Sequence, residues 1–97
     1  MQVSKKLENG KLEIAVSGRL DTNTSPDLES EISLEGVDEV AFDFSELEYI
    51  SSAGLRVLMS VQKSMTARGG KMSVSGLNAT VRGVLDMTGM SSIFTIV

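Results

Sequence analysis

Apolar residues recur at two spacings along the chain, and the changes between them mark out its elements. Leu12, Ile14 and Val16 stand every second position, the period of a half-buried strand. Asn9 and Gly10 precede them, a pair that favours the tight turn of a hairpin, so residues 2–7 and 11–17 are predicted to form one. The period then lengthens. Leu28 and Ile32 lie one helical turn apart behind Ser25, a candidate cap, and Pro26, which suits a first helical position; Asp27 and Glu29 favour the same end. A short helix over residues 26–34 follows, ended by Gly36. Val40 and Phe42 restore alternation for a third strand within residues 37–44, with residues 45–50 as a link to what comes next. From Ser52 to residue 67, Leu55, Leu58, Val61 and Met65, flanked by Val57, share one helical face, while Arg56, Ser60, Lys63 and Ala67 occupy the other. Gly69 and Gly70 stop this main helix. Residues 71–76 read as a fourth strand, Asn78 as the cap of a third helix reaching Met87 and ended by Gly89, and residues 92–97 as a final apolar strand. Helices alternating with strands after an opening hairpin predict an α/β fold, a sheet covered on one side by helices.

Composition narrows the chemistry. The 97 residues suit one domain, expected to span residues 1–97, with no internal repeat or low-complexity linker. Cysteine and histidine are both absent, which removes disulfides, thiolate metal sites, the commonest general base and the Ser-His-Asp relay. An enzyme is therefore not expected, and neither a cofactor nor a metal is implied. No apolar stretch reaches the roughly 20 residues that cross a bilayer, and the first residues lack the apolar centre of a secretory signal. No membrane association is expected, and the cytoplasm is the expected location. The net charge of −4 conceals an uneven distribution: positions 21 to 48 carry ten acids and no lysine or arginine. Such a segment repels phosphates, so no direct nucleic-acid contact is expected; it reads either as a solvated face or as a surface steering a basic partner. Met59, Met65, Met87 and Met90 fit helix packing.

The segment DFSELEYISSAGLRVL carries the candidate chemistry. Ser51 and Ser52 stand at the mouth of the main helix, where a hydroxyl can cap one of the first unpartnered amides. Capping needs only one serine, and it leaves Gly54 unexplained in a first turn where glycine costs up to about 1 kcal/mol relative to alanine. Ala53 and Gly54 point to a close approach, either from within the domain or from a partner outside. A helix N-terminus also favours an anion, yet the GxxxxGK[ST] spacing of a nucleotide cradle is missing. Covalent phosphate on a serine fits better, since the group adds nearly two negative charges to an exposed turn.

The same segment closely resembles the signature of STAS-domain proteins, specifically the bacterial anti-sigma factor antagonists. In these a strand ending in Asp, an apolar residue and Ser leads to an aromatic-aliphatic pair, a serine segment and Gly-Leu. The stretch GRLDTNTSPDLE resembles the family's entry into its first helix, and residues 69–96 resemble its closing strand, helix and strand. The resemblance implies the STAS fold, a mixed sheet of four to five strands with helices mainly on one face. It also implies partner switching in transcription regulation. The unmodified protein binds an anti-sigma factor that is also a serine kinase, and so frees a sigma factor; phosphorylated, it lets go, and a serine phosphatase resets it. By position in the motif the phosphoacceptor is Ser52, with Ser51 as the competitor. The family often has aspartate where Ser51 stands and serine or threonine where Ala53 stands. Asp21, Ser51, Ser52, Ala53, Gly54 and Arg56 are the expected partner-binding residues, Asp21 serving either there or as a cap for the first helix. The alternatives are a STAS subunit with a structural role in a transporter or scaffold complex, in which the serines only cap a helix, and a small nucleotide hydrolase.

Overall fold

The computed structural model describes all 97 residues. In chain order they form β1 (Gln2–Glu8), β2 (Lys11–Leu20), α1 (Ser25–Glu31), β3 (Glu39–Ile50), α2 (Ser52–Ala67), β4 (Lys71–Ser75), α3 (Ala79–Met87), a 3-10 turn (Met90–Ser92) and β5 (Thr95–Ile96). The five strands lie side by side in sequence order. The hairpin β1 and β2 is antiparallel and every later pair is parallel, so the sheet is mixed. Asn9 and Gly10 both take positive φ, at 53° and 81°, as the tight turn between the hairpin strands requires.

The buried side chains of the sheet recur every second residue: Leu12, Ile14 and Val16 on β2, Val40, Phe42 and Phe44 on β3, Met72 and Val74 on β4. Their neighbours Glu13, Ala15, Ala41, Asp43 and Ser73 retain exposure. One face is thus sealed by helices and the other stays open. Leu28 of α1, Leu55, Leu58, Val61 and Met65 of α2, and Val81 and Leu85 of α3 complete the core. Burial of this apolar area, at about 25 cal/mol per Å², is the main favourable term holding the helices to the sheet.

Several boundaries differ from the sequence expectation. The third strand does not stop at residue 44, because residues 45–50 continue it rather than linking it to the helix. Its partner β2 likewise runs on to Leu20. α1 ends at Glu31, since Ile32 already has extended geometry (φ −97°, ψ 115°); Gly36, at φ 74°, turns the loop that follows instead of closing the helix. Thr24, not Ser25, occupies the cap position, and Ser25 is a buried residue of the first turn whose amide donates to the Asp21 carbonyl at 2.9 Å. The last strand shrinks to Thr95–Ile96 because the 3-10 turn consumes the residues before it, with Phe94 donating its N–H to Met90. Met87 is 89% exposed and packs on nothing: it lies two residues past Leu85, roughly 200° around the helix from the buried stripe. Met65 is buried and Met59 and Met90 rest against the core as expected.

Candidate functional site

The second half of β3 is an arm that projects beyond β4, which pairs with β3 only as far as Asp43 opposite Ser75. Two register shifts against β2 build this arm. Between the pairs Ala15 with Asp43 and Ser17 with Glu46, β2 advances two residues and β3 three; between Gly18 with Leu47 and Arg19 with Tyr49, β2 advances one and β3 two. Each shift inserts a residue into β3 and bends it. The first is held by Asp43, whose carboxylate accepts the Ser45 N–H at 2.9 Å and is thereby held below its ordinary pKa. Gly76 presses on the same place: a Cβ there would sit 2.7 Å from the Ser45 nitrogen. Further along, the Asn78 amide donates to the Leu47 carbonyl at 3.0 Å while its oxygen caps α3 by accepting the Val81 N–H at 2.8 Å.

The arm delivers the serines to the end of the sheet. Ser51 donates its N–H to the Leu20 carbonyl at 2.9 Å, the last rung between β2 and β3, and its carbonyl accepts from Leu55 to begin α2. The two hydroxyls then part. The Oγ of Ser51 is buried and has no hydrogen-bond partner, whereas Ser52, the first residue of α2, is exposed. Neither serine caps the helix, contrary to the role expected for one of them; Ser51 holds the cap position with an extended backbone (φ −103°, ψ 177°), but its side chain turns inward. Gly54 explains the small residues behind the pair. A Cβ on it would lie 2.8 Å from both Leu20 Cγ and Ile50 Cγ1, so the close approach comes from the domain's own core.

Asp21 closes the turn into α1. Its Oδ1 accepts the N–H groups of Asn23 at 3.0 Å and Thr24 at 3.1 Å, and its own N–H donates to the Thr24 hydroxyl at 2.8 Å. The Thr24 N–H, helped by Asn23 and by the charge of Arg19, holds this carboxyl below its ordinary pKa against the opposing effect of desolvation. Asp21 therefore orders the loop that follows Leu20. Ala53 and Arg56 line a groove of about 260 Å³ between α1 and α2, together with Thr22, Pro26, Glu29 and Val57. The structure thus brings Ala53 and Arg56 to one groove, keeps Ser52 exposed at the adjoining helix start, and withdraws Gly54 and the Ser51 hydroxyl into the interior.

Sequence reasoning missed two features of this end. The Arg19 guanidinium stacks on the Tyr49 ring, 4.5 Å from its centroid, in a cross-strand pair just before the serines. Only knowledge that β2 and β3 reach this far would have paired them. The Asp43 contact had a local signal, since an aspartate side chain can accept the backbone N–H two residues further on. The acidic run is also divided: Glu31 pairs with Lys5 at 3.1 Å and Glu39 lies 3.9 Å from Lys11, so its charges are spread over the helix layer and one end of the sheet, where β2 and β3 begin.

The STAS-domain family model matches residues 2–97. The chain belongs to the STAS-domain family. Among similar proteins is the anti-sigma F factor antagonist of Paenibacillus polymyxa, 28% identical over 100 residues that cover 99% of this chain and 86% of that protein. The fold matches that of the anti-sigma factor antagonist SpoIIAA in its unphosphorylated form, with a TM-score of 0.86 at 18% identity over 99% of this chain and 88% of that one. The phosphorylated form of Bacillus SpoIIAA gives 0.78 at 17% identity over 99% and 91%. A sulfate transporter family protein of Wolinella succinogenes shares the fold more loosely, at 0.73 and 17% identity over 95% and 80%. As a STAS domain the chain has the mixed sheet and one-sided helices expected of it, and none of its helices is long and apolar enough to cross a membrane.

Proposed function

We propose that this STAS domain is an anti-sigma factor antagonist that acts in the cytoplasm by switching partners, with Ser52 as its phosphoacceptor. Unmodified, it docks on an anti-sigma factor that is also a serine kinase and releases the sigma factor. The kinase transfers the γ-phosphoryl group of ATP to the Ser52 Oγ: the O–P bond forms, ADP leaves, and the serine proton passes to a base of the kinase. A phosphatase reverses the change with water. The domain itself supplies a substrate hydroxyl and a docking surface and performs no catalysis.

The observation that carries this reading is the contrast between the two hydroxyls. A kinase can approach the Ser52 Oγ from solvent, while reaching the Ser51 Oγ would require opening the start of α2. The relatives' names supply the partner class. Physical chemistry supplies the switch, because nearly two added charges at the rim of a docking face must be desolvated for the complex to persist. The surface nominated for the anti-sigma factor consists of Ser52, Ala53, Arg56 and the turn ordered by Asp21. Mass spectrometry after incubation with ATP and the serine kinases of its own genome tests the proposal. Wild-type protein should gain one phosphate on Ser52, and Ser52→Ala should gain none while still binding the kinase. Equal phosphorylation of Ser52→Ala would move the acceptor elsewhere. Recovery of a transporter subunit instead of a kinase in a pull-down would favour the structural role suggested by the looser fold relative.

A further inference from the structure

Resting on the reading of Ser52 as acceptor, we propose that Arg56 is the built-in counter-ion of the phosphoryl group. The side chain would leave the groove between α1 and α2 on modification and clamp the phosphate at the helix start. α2 is one uninterrupted helix from Ser52 to Ala67, so residues 52 and 56 stand one turn apart on the same side. Both are exposed. Arg56 takes part in none of the five ion pairs of the molecule, so no existing carboxylate must release it. The acid lies N-terminal to the base, the favoured order for an i,i+4 pair, and guanidinium can grip two phosphate oxygens at once.

The other charged groups of this end do not displace it. Asp21 is engaged with the N–H groups of its own turn, and Arg19 is stacked on Tyr49. Glu29 of α1 lines the groove with Arg56 without forming an ion pair to it. Phosphorylation then alters the surface twice. It adds an anion at the helix start, and it removes a cation from the groove, so a partner that uses the guanidinium loses it even if it tolerates the phosphate.

The test needs no kinase. Phosphoserine is incorporated at position 52 during translation, and the second ionisation of its phosphate is followed by phosphorus NMR in the wild-type background and in Arg56→Gln, Arg56→Lys and Lys63→Gln. Against the ordinary value near 6, the folded wild-type protein should titrate lower by about half a unit, of which the Arg56 pair supplies about 0.3 unit and the helix N-terminus the rest, with the same protein unfolded in urea as reference. Arg56→Gln should recover at least half of that shift, Arg56→Lys should keep part of it, and Lys63→Gln should leave it unchanged. Identical titrations in wild type and Arg56→Gln would overturn the assignment, as would loss of the native amide spectrum on phosphorylation, since a phosphate clamped by its own helix leaves the fold intact. Failure here leaves the antagonist reading standing; failure of every cellular kinase to modify Ser52 would defeat that reading while leaving the titration result in place.

Discussion

Adding one methyl group at Gly54 sets two effects of opposite sign against each other. Alanine is a better helix former than glycine by about 1 kcal/mol in a helix interior, so propensity alone predicts that Gly54→Ala stabilises α2. The space is already taken: the new Cβ would fall 2.8 Å from Leu20 Cγ and 2.8 Å from Ile50 Cγ1, and both of those residues are fully buried. Relief requires each contact to lengthen by about half an ångström or more in a close-packed interior. Overpacking of this kind costs about 1–3 kcal/mol, and contacts on two sides place it toward the upper end. The net expectation is a loss of about 1–2 kcal/mol, read as a lower urea midpoint at unchanged slope, or a fall of about 4–8 °C in Tm for each kcal/mol. Shortening Leu20 to alanine opens one side of the clash, so Gly54→Ala should cost less in that background than in wild type. A variant as stable as wild type or more so, with native spectra, would show that propensity outweighs packing and that the helix start is not pinned to the core.

Two further substitutions probe the polar groups of the same end. Ser51→Ala should leave stability unchanged or raise it by up to about 1 kcal/mol, because the lost hydroxyl is buried without a partner; a loss of 1 kcal/mol or more in urea unfolding would mean that it caps α2 after all. Asp21 and Asp43 have carboxyl pKa values held below 3.8 by N–H donors. A depressed folded pKa contributes stability that is present above the unfolded value and lost as pH falls through the folded one. The double variant Asp21→Asn, Asp43→Asn keeps an acceptor oxygen at each site but not the charge, so its Tm should fall less than that of wild type between pH 5 and about pH 2. Parallel curves would remove these carboxylates from the acid response.

The division of the chain into strands and helices was legible because most elements keep one period throughout. β2 through Val16, α2 and β4 show their alternation or helical stripe directly. β3 did not, and the reason is geometric. Its buried residues are 40, 42, 44, 47 and 50, so the spacing of two becomes three where each inserted residue falls, and three is a helix-like interval. A period-based reading therefore stops at Phe44. α1 was overextended because Ile32 and Leu34 do pack against the core, but from beyond the helix end, where Ile32 is already extended. At the site, the location of the serine pair was legible and the fate of each hydroxyl was not. Which one turns inward depends on how the arm of β3 enters α2, and that follows from pairing with β2 rather than from local sequence. Gly54 could be read as a close approach; only the packed structure identifies Leu20 and Ile50 as what it approaches.

The two extra residues of β3 also fix how the gene can vary. Within positions 44–48, losing one codon would absorb a bulge: the step from Phe44 to Leu47, or from Leu47 to Ile50, would fall from three residues to two, and both side chains would stay inward. What such a loss takes away is the bend, so the shortened arm would bring the start of α2 to a different place. Length in this short span therefore sets where the arm points, and its solvent-facing letters, Glu46 and Glu48 included, do not.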